Sequence, residues 1–316
     1  MSDDFYRAFE DKFRGPREDI KAKLQVYLPF ITILNKWYPK NAAVDLGCGR
    51  GEWLELMRDH GIEAIGVDLD EDMLRACRER NLAVTSQDAI SHIKTLKSDS
   101  VIAVTAFHLV EHIPFEQLKL LVSESLRVLK PGGLLIMETP NPENIIVATN
   151  NFYFDPTHIR PIPSMLLEFL PVYYGFEKTK LIRLNTSKEL EHLSSLSIYH
   201  VLIGVSHDYA VVAQKKAVGE EMNQFESLYS EQFGVGLETL SSRYDQKFNS
   251  AEVRLTQIEK FAQELSAKVQ QAEIKVQQAE IKVTQAEQAL VKIYNSRSWR
   301  WTAPLRGMNK FLRKFK

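Results

Sequence analysis

The stretch Ala43-Val44-Asp45-Leu46-Gly47-Cys48-Gly49-Arg50-Gly51-Glu52 decides the fold of this chain. Its apolar start indicates a strand, its three alternating glycines indicate a turn, and Trp53 to His60 have the pattern of a helix. A strand, a glycine-rich turn and a helix N-terminus in this order are typical of a nucleotide-binding cradle, because the turn needs backbone angles that a Cβ resists and the ligand lies against bare backbone. A dinucleotide site of the G-x-G-x-x-G type needs glycine at position 52, where this chain has Glu52. The pattern therefore argues against a pyrophosphate ligand.

The G-x-G-x-G spacing after Asp45 resembles the first motif of the class I S-adenosylmethionine-dependent methyltransferases. In that family the acid of the first strand faces the methionine ammonium group, and the glycines pass beneath the cofactor. The resemblance implies that the cofactor is S-adenosylmethionine and that it is bound by Asp45, Gly47, Cys48, Gly49 and Gly51. The alternative is a glycine-rich turn in another kind of α/β protein.

Strand and helix patterns alternate from residue 41 to about residue 135, as a doubly wound parallel sheet requires. The second strand ends at Asp68, where an acid can accept both ribose hydroxyls of a nucleoside. The third leads to Asp88, for which the resemblance implies a hydrogen bond to the adenine amino group, although Asp here is also a common helix cap. We place the next residues, Leu69 and Ala89, in the same cofactor site. A final antiparallel strand pair completes a seven-stranded sheet.

Two polar segments are candidates for the methyl-transfer site. One follows the fourth strand, at a position that borders the methyl-transfer site in class I methyltransferases, and the other is the polar-aromatic loop 152–161. Candidate bases are His112, His158 and Asp155, with Glu111 as the orienting or alternative group, whereas His108 is expected to be packed. Positioning of the acceptor contributes more to methyl transfer than proton removal does, so proximity alone is also an open mechanism.

Basic and aromatic side chains near the N-terminus form a possible rim for an anionic acceptor, because guanidinium groups offer a forked set of donors. We assign substrate binding to Tyr6, Arg7, Arg14, Arg17, Tyr153 and Arg160. The alternative for residues 1–40 is a helical cap packed over the cofactor site, with its helix broken or kinked at Pro29.

Bulk composition limits the other function classes. The formal net charge of −1 gives no reason to expect nucleic acid, and two cysteines, Cys48 and Cys77, are too few for a disulfide framework or a zinc site. We expect no metal. Residues 1–12 lack the apolar segment of a secretory signal, and no run of about 18 apolar residues occurs, so we expect a cytoplasmic protein.

The pattern changes after residue 216, where residues 217–240 have the character of a linker. A coiled coil is predicted over 241–294, because six apolar pairs alternate at spacings of three and four from Leu255/Ile258 to Leu290/Ile293. Its g positions hold Lys268, Lys275 and Lys282, and its e positions hold Glu273, Glu280 and Glu287. A parallel assembly pairs these Lys and Glu side chains, so we predict a parallel homo-oligomer, with a trimer ahead of a dimer. A single solvated helix is the alternative.

Residues 295–316 contain no acid and carry seven basic side chains interleaved with aromatic and aliphatic ones. This pattern is typical of an interfacial helix on an anionic membrane, where each basic side chain contributes about 1 kcal/mol. A docking helix for a partner protein is the alternative.

Three stretches resemble bacterial methyltransferases of surface-polysaccharide assembly, including the O-antigen chain-terminating type. They are Phe5-Tyr6-Arg7-Ala8-Phe9-Glu10, Tyr153-Phe154-Asp155-Pro156-Thr157-His158-Ile159-Arg160-Pro161 and the tail 296–306. The resemblance implies a lipid-linked, lipopolysaccharide-type glycan acceptor, a glycosyltransferase partner and a place at the inner membrane. Some chain terminators carry a kinase-like domain before the coiled coil, which this chain lacks, so the resemblance does not extend to a phosphorylation step.

We therefore predict a helical cap (1–40), a Rossmann-like, seven-stranded class I methyltransferase domain (41–216), a linker (217–240), a long parallel coiled coil (241–294) and a basic amphipathic C-terminal helix (295–316). The leading function is O-methylation of a surface glycan, as a chain-terminating step. A small-molecule O-methyltransferase and a non-catalytic coiled-coil scaffold of a glycan-assembly complex are the alternatives.

Overall fold

Seven strands form one mixed sheet in the structure, a computed structural model that describes residues 15–187, 190, 196–217 and 220–306. The strands are β1 (Ala43–Leu46), β2 (Ala64–Asp68), β3 (Val84–Ser86), β4 (Val101–Phe107), β5 (Leu129–Pro140), β6 (Lys178–Leu184) and β7 (Asp208–Gln214). Their order is β3-β2-β1-β4-β5-β7-β6, and β7 runs antiparallel to both of its neighbours. The predicted seven-stranded Rossmann-like sheet with a final antiparallel pair is confirmed.

Helices of the first part of the chain, among them α2, α3, α6 and α8, cover both faces of this sheet. The helices of the described residues are α1 (Arg17–Leu24), α2 (Leu28–Trp37), α3 (Glu52–Asp59), α4 (Glu71–Glu79), α5 (Ala89–Thr95), α6 (Phe115–Val128), α7 (Ile145–Thr149), α8 (Ser164–Tyr174), α9 (Ile198–Ile203), α10 (Glu226–Ser230), α11 (Leu237–Asn295) and α12 (Arg297–Trp301). Successive strand residues point to opposite faces. Leu135 and Met137 of β5 accordingly pack in one core cluster with α6 and α8, and Leu134 and Ile136 in another with α2 and α3.

The N-terminal helices approach the carboxyl edge of the parallel strands. Helices α1 and α2 are joined by a single 3₁₀ turn, and Pro29 lies in the first turn of α2, where a missing N–H is tolerated. The Tyr27 ring is fully buried, with its centroid 6.2 Å from that of Trp53 and 5.1 Å from that of Phe107. Its hydroxyl donates a hydrogen bond to Glu138 at the end of β5. The turn between these helices thus forms one wall of that edge.

Part of the segment 217–240 packs on the domain, which a linker would not do. The Phe225 ring is fully buried, with centroids 6.4 Å from Phe30 and 5.3 Å from Trp37 of helix α2. Leu240 is also fully buried and belongs to a small cluster with Val201. These side chains pack one at a time and not as a repeating face, so hydrophobic periodicity does not reveal them. The first of the chain's two compact units accordingly ends at Asp245, and the second begins at Gln246.

Helix α11 is continuous over 59 residues. The six apolar pairs of the predicted coiled coil form its seam. In the single chain three seam residues, Val269, Val276 and Val283, are 50%, 57% and 57% exposed. The parallel coiled coil stays a prediction. Among the described helices, none is both long and apolar enough to cross a membrane.

Candidate active site

The glycine-rich turn connects β1 to α3 with three left-handed backbone positions. The φ angles of Gly47, Gly49 and Gly51 are +72°, +50° and +76°, a region in which L residues are disfavoured. The amides of Gly47 and Cys48 donate to the carbonyl of Val67, at 2.8 and 3.1 Å, which holds the turn against β2. The turn therefore presents bare backbone at the carboxyl edge of the central strands.

Replacing Gly51 with alanine should lower the free energy of unfolding by about 2–4 kcal/mol, because it adds backbone strain to overpacking. A Cβ at Gly51 would lie 2.8 Å from both Cys77 Sγ and Leu82 Cδ1. Gly61 is the matched control: its φ is +70°, but a Cβ there has nothing within 4 Å. We expect Gly61→Ala to cost only about 1 kcal/mol. Urea unfolding followed by tryptophan fluorescence measures both, and equal effects would contradict the packing argument.

The three acids predicted for the cofactor lie near the carboxyl ends of neighbouring strands. Asp45 is buried, and its Oδ1 accepts from the Thr105 hydroxyl at 2.7 Å. Asp68 Oδ2 accepts from the Gly49 amide at 2.8 Å, which ties the second strand end to the glycine turn. Asp88 Oδ1 caps α5 through the Ser91 amide at 2.8 Å, so the alternative of a helix cap is realised there.

This arrangement fits S-adenosylmethionine. Asp68 is next to the bare-backbone cradle and would accept the ribose hydroxyls. The side chain of Leu69 is 70% exposed and offers an apolar surface for the adenine ring. Glu52, the residue that argued against a pyrophosphate, is buried in an ion pair with Arg17 and Arg50, at 3.2 and 2.9 Å.

Arg17 is therefore a structural residue in this conformation, contrary to its predicted role in acceptor binding. Besides Glu52 it contacts Glu55 at 2.8 Å and the carbonyl of Arg50 at 2.7 Å. The hydrogen bond from Arg17 lowers the pKa of Glu55 below its ordinary value. The other predicted rim residues Tyr6, Arg7 and Arg14 lie outside the described residues.

The two predicted loop residues lie on the surface. Tyr153 is 64% exposed, and the Arg160 guanidinium stacks over the Phe115 ring at 4.7 Å from its centroid. Both side chains are exposed to solvent, so an acceptor can reach them.

The structure brings the four predicted methyl-transfer residues Glu111, His112, Asp155 and His158 together. The ring centroids of His112 and His158 are 4.6 Å apart, and His158 Nε2 lies 4.0 Å from Glu111 Oε1 and from Asp155 Oδ2. Glu111 is buried, and its Oε2 accepts from the Thr139 hydroxyl at 2.9 Å. Burial raises the pKa of Glu111, but the hydrogen bond with His108 and the charges of His108 and His112 together hold that pKa below its ordinary value.

A hydrogen-bond chain fixes the tautomer of His112. The Thr157 hydroxyl donates to Asp155 Oδ1 at 2.6 Å, so its oxygen can only accept from His112 Nδ1, 2.9 Å away. The proton of neutral His112 is therefore on Nδ1, and Nε2 is an acceptor. Burial lowers the pKa of His112, and nearby His158 lowers it further against the opposing effect of Glu111. Sequence reasoning missed Thr157, although its position two residues after Asp155 is a common turn pattern.

His108 is not packed in the apolar core, so that prediction is wrong. Its side chain is 44% exposed, and its φ of +51° is strained for a residue with a Cβ. Its Nδ1 lies 3.2 Å from Glu111 Oε1, and its Nε2 lies 3.4 Å from Glu138 Oε1 and 4.0 Å from Asp208 Oδ1. Desolvation lowers the pKa of His108, but the hydrogen bonds to Glu111 and Glu138 raise it well above its ordinary value.

The segment that follows β4 adjoins the glycine-rich turn. A Cβ at Gly47 would lie 3.2 Å from Cδ1 of Leu109, which directly follows His108. The end of β4 and the turn after β1 thus share one edge, as the parallel register of these strands requires.

Comparison with known proteins agrees with this geometry. Residues 44–137 match the model of the family described as "Methyltransferase domain". Two curated relatives are a ubiquinone biosynthesis O-methyltransferase of Methylococcus capsulatus, 35% identical over 31% of this chain and 43% of that protein, and a trans-aconitate 2-methyltransferase of Sinorhizobium medicae, 35% identical over 43% and 48%. The chain spans about half the length of the curated relatives it matches.

The solved structure of an S-adenosylmethionine-dependent methyltransferase from Archaeoglobus fulgidus is similar over its full length. It is 34% identical, has a TM-score of 0.60, and the match covers 67% of this chain and 100% of that one. The residues matched by the family model, 44–137, include the glycine-rich turn and the strands β2, β3 and β4. The chain belongs to the S-adenosylmethionine-dependent methyltransferases, and S-adenosylmethionine is its cofactor.

Proposed function

We propose that the domain methylates an acceptor oxygen, with His112 as general base. The observation that carries this proposal is the Asp155–Thr157–His112 hydrogen-bond chain, which leaves Nε2 of His112 to accept the acceptor's proton. Bound S-adenosylmethionine supplies an electrophilic methyl group. The new O–CH₃ bond forms as the S–CH₃ bond breaks, and the acceptor's proton passes to His112. Positioning of the acceptor in line with the methyl group contributes the larger part of the rate.

The acceptor in this proposal is a nascent or lipid-linked surface glycan of the O-antigen type, methylated as a chain-terminating step. Tyr153 and Phe154, which precede Asp155 of the hydrogen-bond chain, are 64% and 56% exposed. Exposed aromatic faces can pack against the C–H faces of sugar rings while neighbouring polar groups bind hydroxyls. The resemblance of the 153–161 loop to glycan-assembly methyltransferases supports the same acceptor.

A small-molecule acceptor is the second candidate. It is favoured by the names of the two curated relatives, which refer to ubiquinone biosynthesis and to trans-aconitate. These relatives match only 31% and 43% of this chain, so their names are weak support for its acceptor.

Transfer of labelled methyl groups should distinguish these acceptors. The full chain is incubated with methyl-labelled S-adenosylmethionine and either lipid-linked oligosaccharides or catechol-type quinone precursors and trans-aconitate. We expect label in the glycan, as an O-methyl ether at its non-reducing end by mass spectrometry. Label only in the small acceptors would contradict the glycan proposal and support a small-molecule O-methyltransferase. Binding of the cofactor without label in any acceptor would favour the non-catalytic coiled-coil scaffold. The Asp68→Ala variant, which should bind the cofactor weakly, gives the background level of methyl labelling.

The proposal also includes a parallel homo-oligomer formed by α11, a trimer ahead of a dimer, and an inner-membrane position through residues 295–316, next to a glycosyltransferase partner. The Lys–Glu pattern of the seam and its exposed valines support the oligomer. The basic and aromatic tail supports the membrane, although its last ten residues lie outside the described ones.

One experiment tests both the oligomer and the membrane position. The full chain should sediment as an oligomer and float with anionic liposomes but not with neutral ones. The triple variant Lys310→Glu, Lys314→Glu, Lys316→Glu should keep its sedimenting mass and stop floating, because each removed charge weakens attraction to the anionic surface. A monomeric mass would contradict the oligomer, and a floating variant would contradict the membrane role of the tail.

A further inference from the structure

Three side chains place potential metal-ligand atoms around one point at the carboxyl edge of the sheet. They are His108 after β4, Glu138 at the end of β5 and Asp208 at the start of β7. One potential ligand atom from each of the three lies within 4.8 Å of the other two, and His108 Nε2 is 4.0 Å from Asp208 Oδ1. The closest pair, His108 Nε2 and Glu138 Oε1, is 3.4 Å apart, which is long for a hydrogen bond of a charged pair.

Each of these side chains has a partner on the side facing away from that point. Glu111 Oε1 lies 3.2 Å from Nδ1 of His108, the Tyr27 hydroxyl donates to Oε2 of Glu138, and the Asn185 amide donates to Oδ2 of Asp208 at 2.5 Å. Metal-ligating imidazoles and carboxylates are typically oriented by such outer partners, which leave one atom of each ligand directed at the ion.

Charge makes a cation favourable at this point. With Glu111, three carboxylates lie within 4.0 Å of the His108 imidazole, and two of them, Glu111 and Glu138, are buried. Glu111 also has His158 Nε2 at 4.0 Å, whereas Glu138 and Asp208 share His108. Even a protonated His108 balances only one of these charges. Buried charges that are neither paired nor bound to metal are costly, so the cluster favours a further positive charge.

From this geometry we propose that His108, Glu138 and Asp208 bind a divalent cation. One imidazole nitrogen with two carboxylate oxygens suits Mn²⁺, Fe²⁺ or Zn²⁺. Ligand bonds of about 2.0–2.2 Å put neighbouring donor atoms about 3 Å apart, so small side-chain movements complete the site. The exposed side of His108 leaves positions for water or for acceptor oxygens. The sequence alone does not predict this metal site, because its three ligands come from the ends of three separate strands. Contact between the ion and the acceptor rests on the proposed function, whereas binding of the ion to the chain does not.

Mn²⁺ binding to the metal-stripped full chain tests this site without cofactor or acceptor. Calorimetry should give one Mn²⁺ per chain, and Glu138→Gln and Asp208→Asn should each weaken binding at least about tenfold. Glu143→Gln is the matched control, since Glu143 is paired with Arg183 at 2.9 Å and should bind Mn²⁺ as the wild type does. Circular dichroism checks that each variant is folded. Absence of binding, or binding unchanged in both ligand variants, would overturn the proposal.

The structure holds a second group of potential ligands, Glu111, His112 and His158, so the experiment also identifies which group binds. Electron spin-echo spectra of the Mn²⁺-bound wild type should show one coupled imidazole nitrogen, from His108. Two coupled imidazoles, or binding lost in His158→Gln, would place the ion at the second group and overturn the assignment. This readout needs no ligand variant, so it remains decisive if Glu138→Gln or Asp208→Asn fails to fold. Failure of metal binding leaves the methyl-transfer proposal to its own test.

Discussion

The Asp68→Ala variant should bind S-adenosylmethionine about 100-fold more weakly than the wild-type chain. Asp68 would accept both ribose hydroxyls, and each hydrogen bond to a charged group contributes about 1.5 kcal/mol or more, so losing both costs about 3 kcal/mol. The substitution also removes the acceptor of the Gly49 amide, which lies 2.8 Å from Asp68 Oδ2. Isothermal calorimetry with the full chain measures the change directly.

Two variants separate this contribution from loss of folding. Asp68→Asn keeps one acceptor oxygen and should lose less affinity, about tenfold. Asp59→Ala removes an acid of α3 that is 45% exposed and should bind the cofactor as the wild type does. Unchanged affinity in Asp68→Ala would mean that other groups hold the ribose, and the assignment of the second strand end would be wrong.

The His112→Ala variant should lower kcat at least about 100-fold while leaving cofactor affinity unchanged, because it removes the proton acceptor from the transition state alone. Thr157→Val should have a smaller effect on kcat, since the imidazole remains but its tautomer is no longer fixed. His60→Gln is the control, because His60 hydrogen-bonds the Leu56 carbonyl away from the site and should keep wild-type kcat.

The pH dependence of kcat distinguishes a base from a packing residue. In the proposed mechanism neutral His112 is the active form, so kcat should fall as pH drops through its pKa, which burial sets below the ordinary value of about 6.5. Of the charged groups that face it, Glu111 and Asp155 raise this pKa, and His158 and His108 lower it. Thr157→Val should shift the acid limb of the profile. A flat profile together with a small effect of His112→Ala would indicate transfer by proximity alone.

The positions of the three acids predicted for the cofactor follow from the sequence, because each acid has a local signal. Asp45, Asp68 and Asp88 each come at or directly after an apolar strand pattern, and consecutive parallel strands deliver such residues to one edge. The structure places the carboxyl groups of all three at the strand ends, where they were expected. The same reasoning groups Glu111 and His112 with the 152–161 loop.

The rest of the site depends on partners that lie far apart in the chain. His108 has the sequence context of a packed residue, because its carboxylate partners Glu138 and Asp208 belong to β5 and β7. On sequence alone, Arg17 is assigned to substrate binding because its partner Glu52 follows the first strand in the sequence, far from Arg17. Long-range pairing of this kind leaves no periodic pattern in the sequence.

The order of the strands has a consequence for how such enzymes diversify. The acids predicted for the cofactor lie at or after the ends of β1, β2 and β3. The titratable side chains predicted for methyl transfer, and those of the proposed metal site, lie after β4, at the end of β5, in the loop 152–161 and at the start of β7. The two sets are neighbours where β1 pairs with β4, at Asp45 and Thr105. Substitutions on one side of that junction can exchange the acceptor while the donor side stays intact. Under the proposed function, a change of acceptor would need no change in the three strands that carry the predicted cofactor residues.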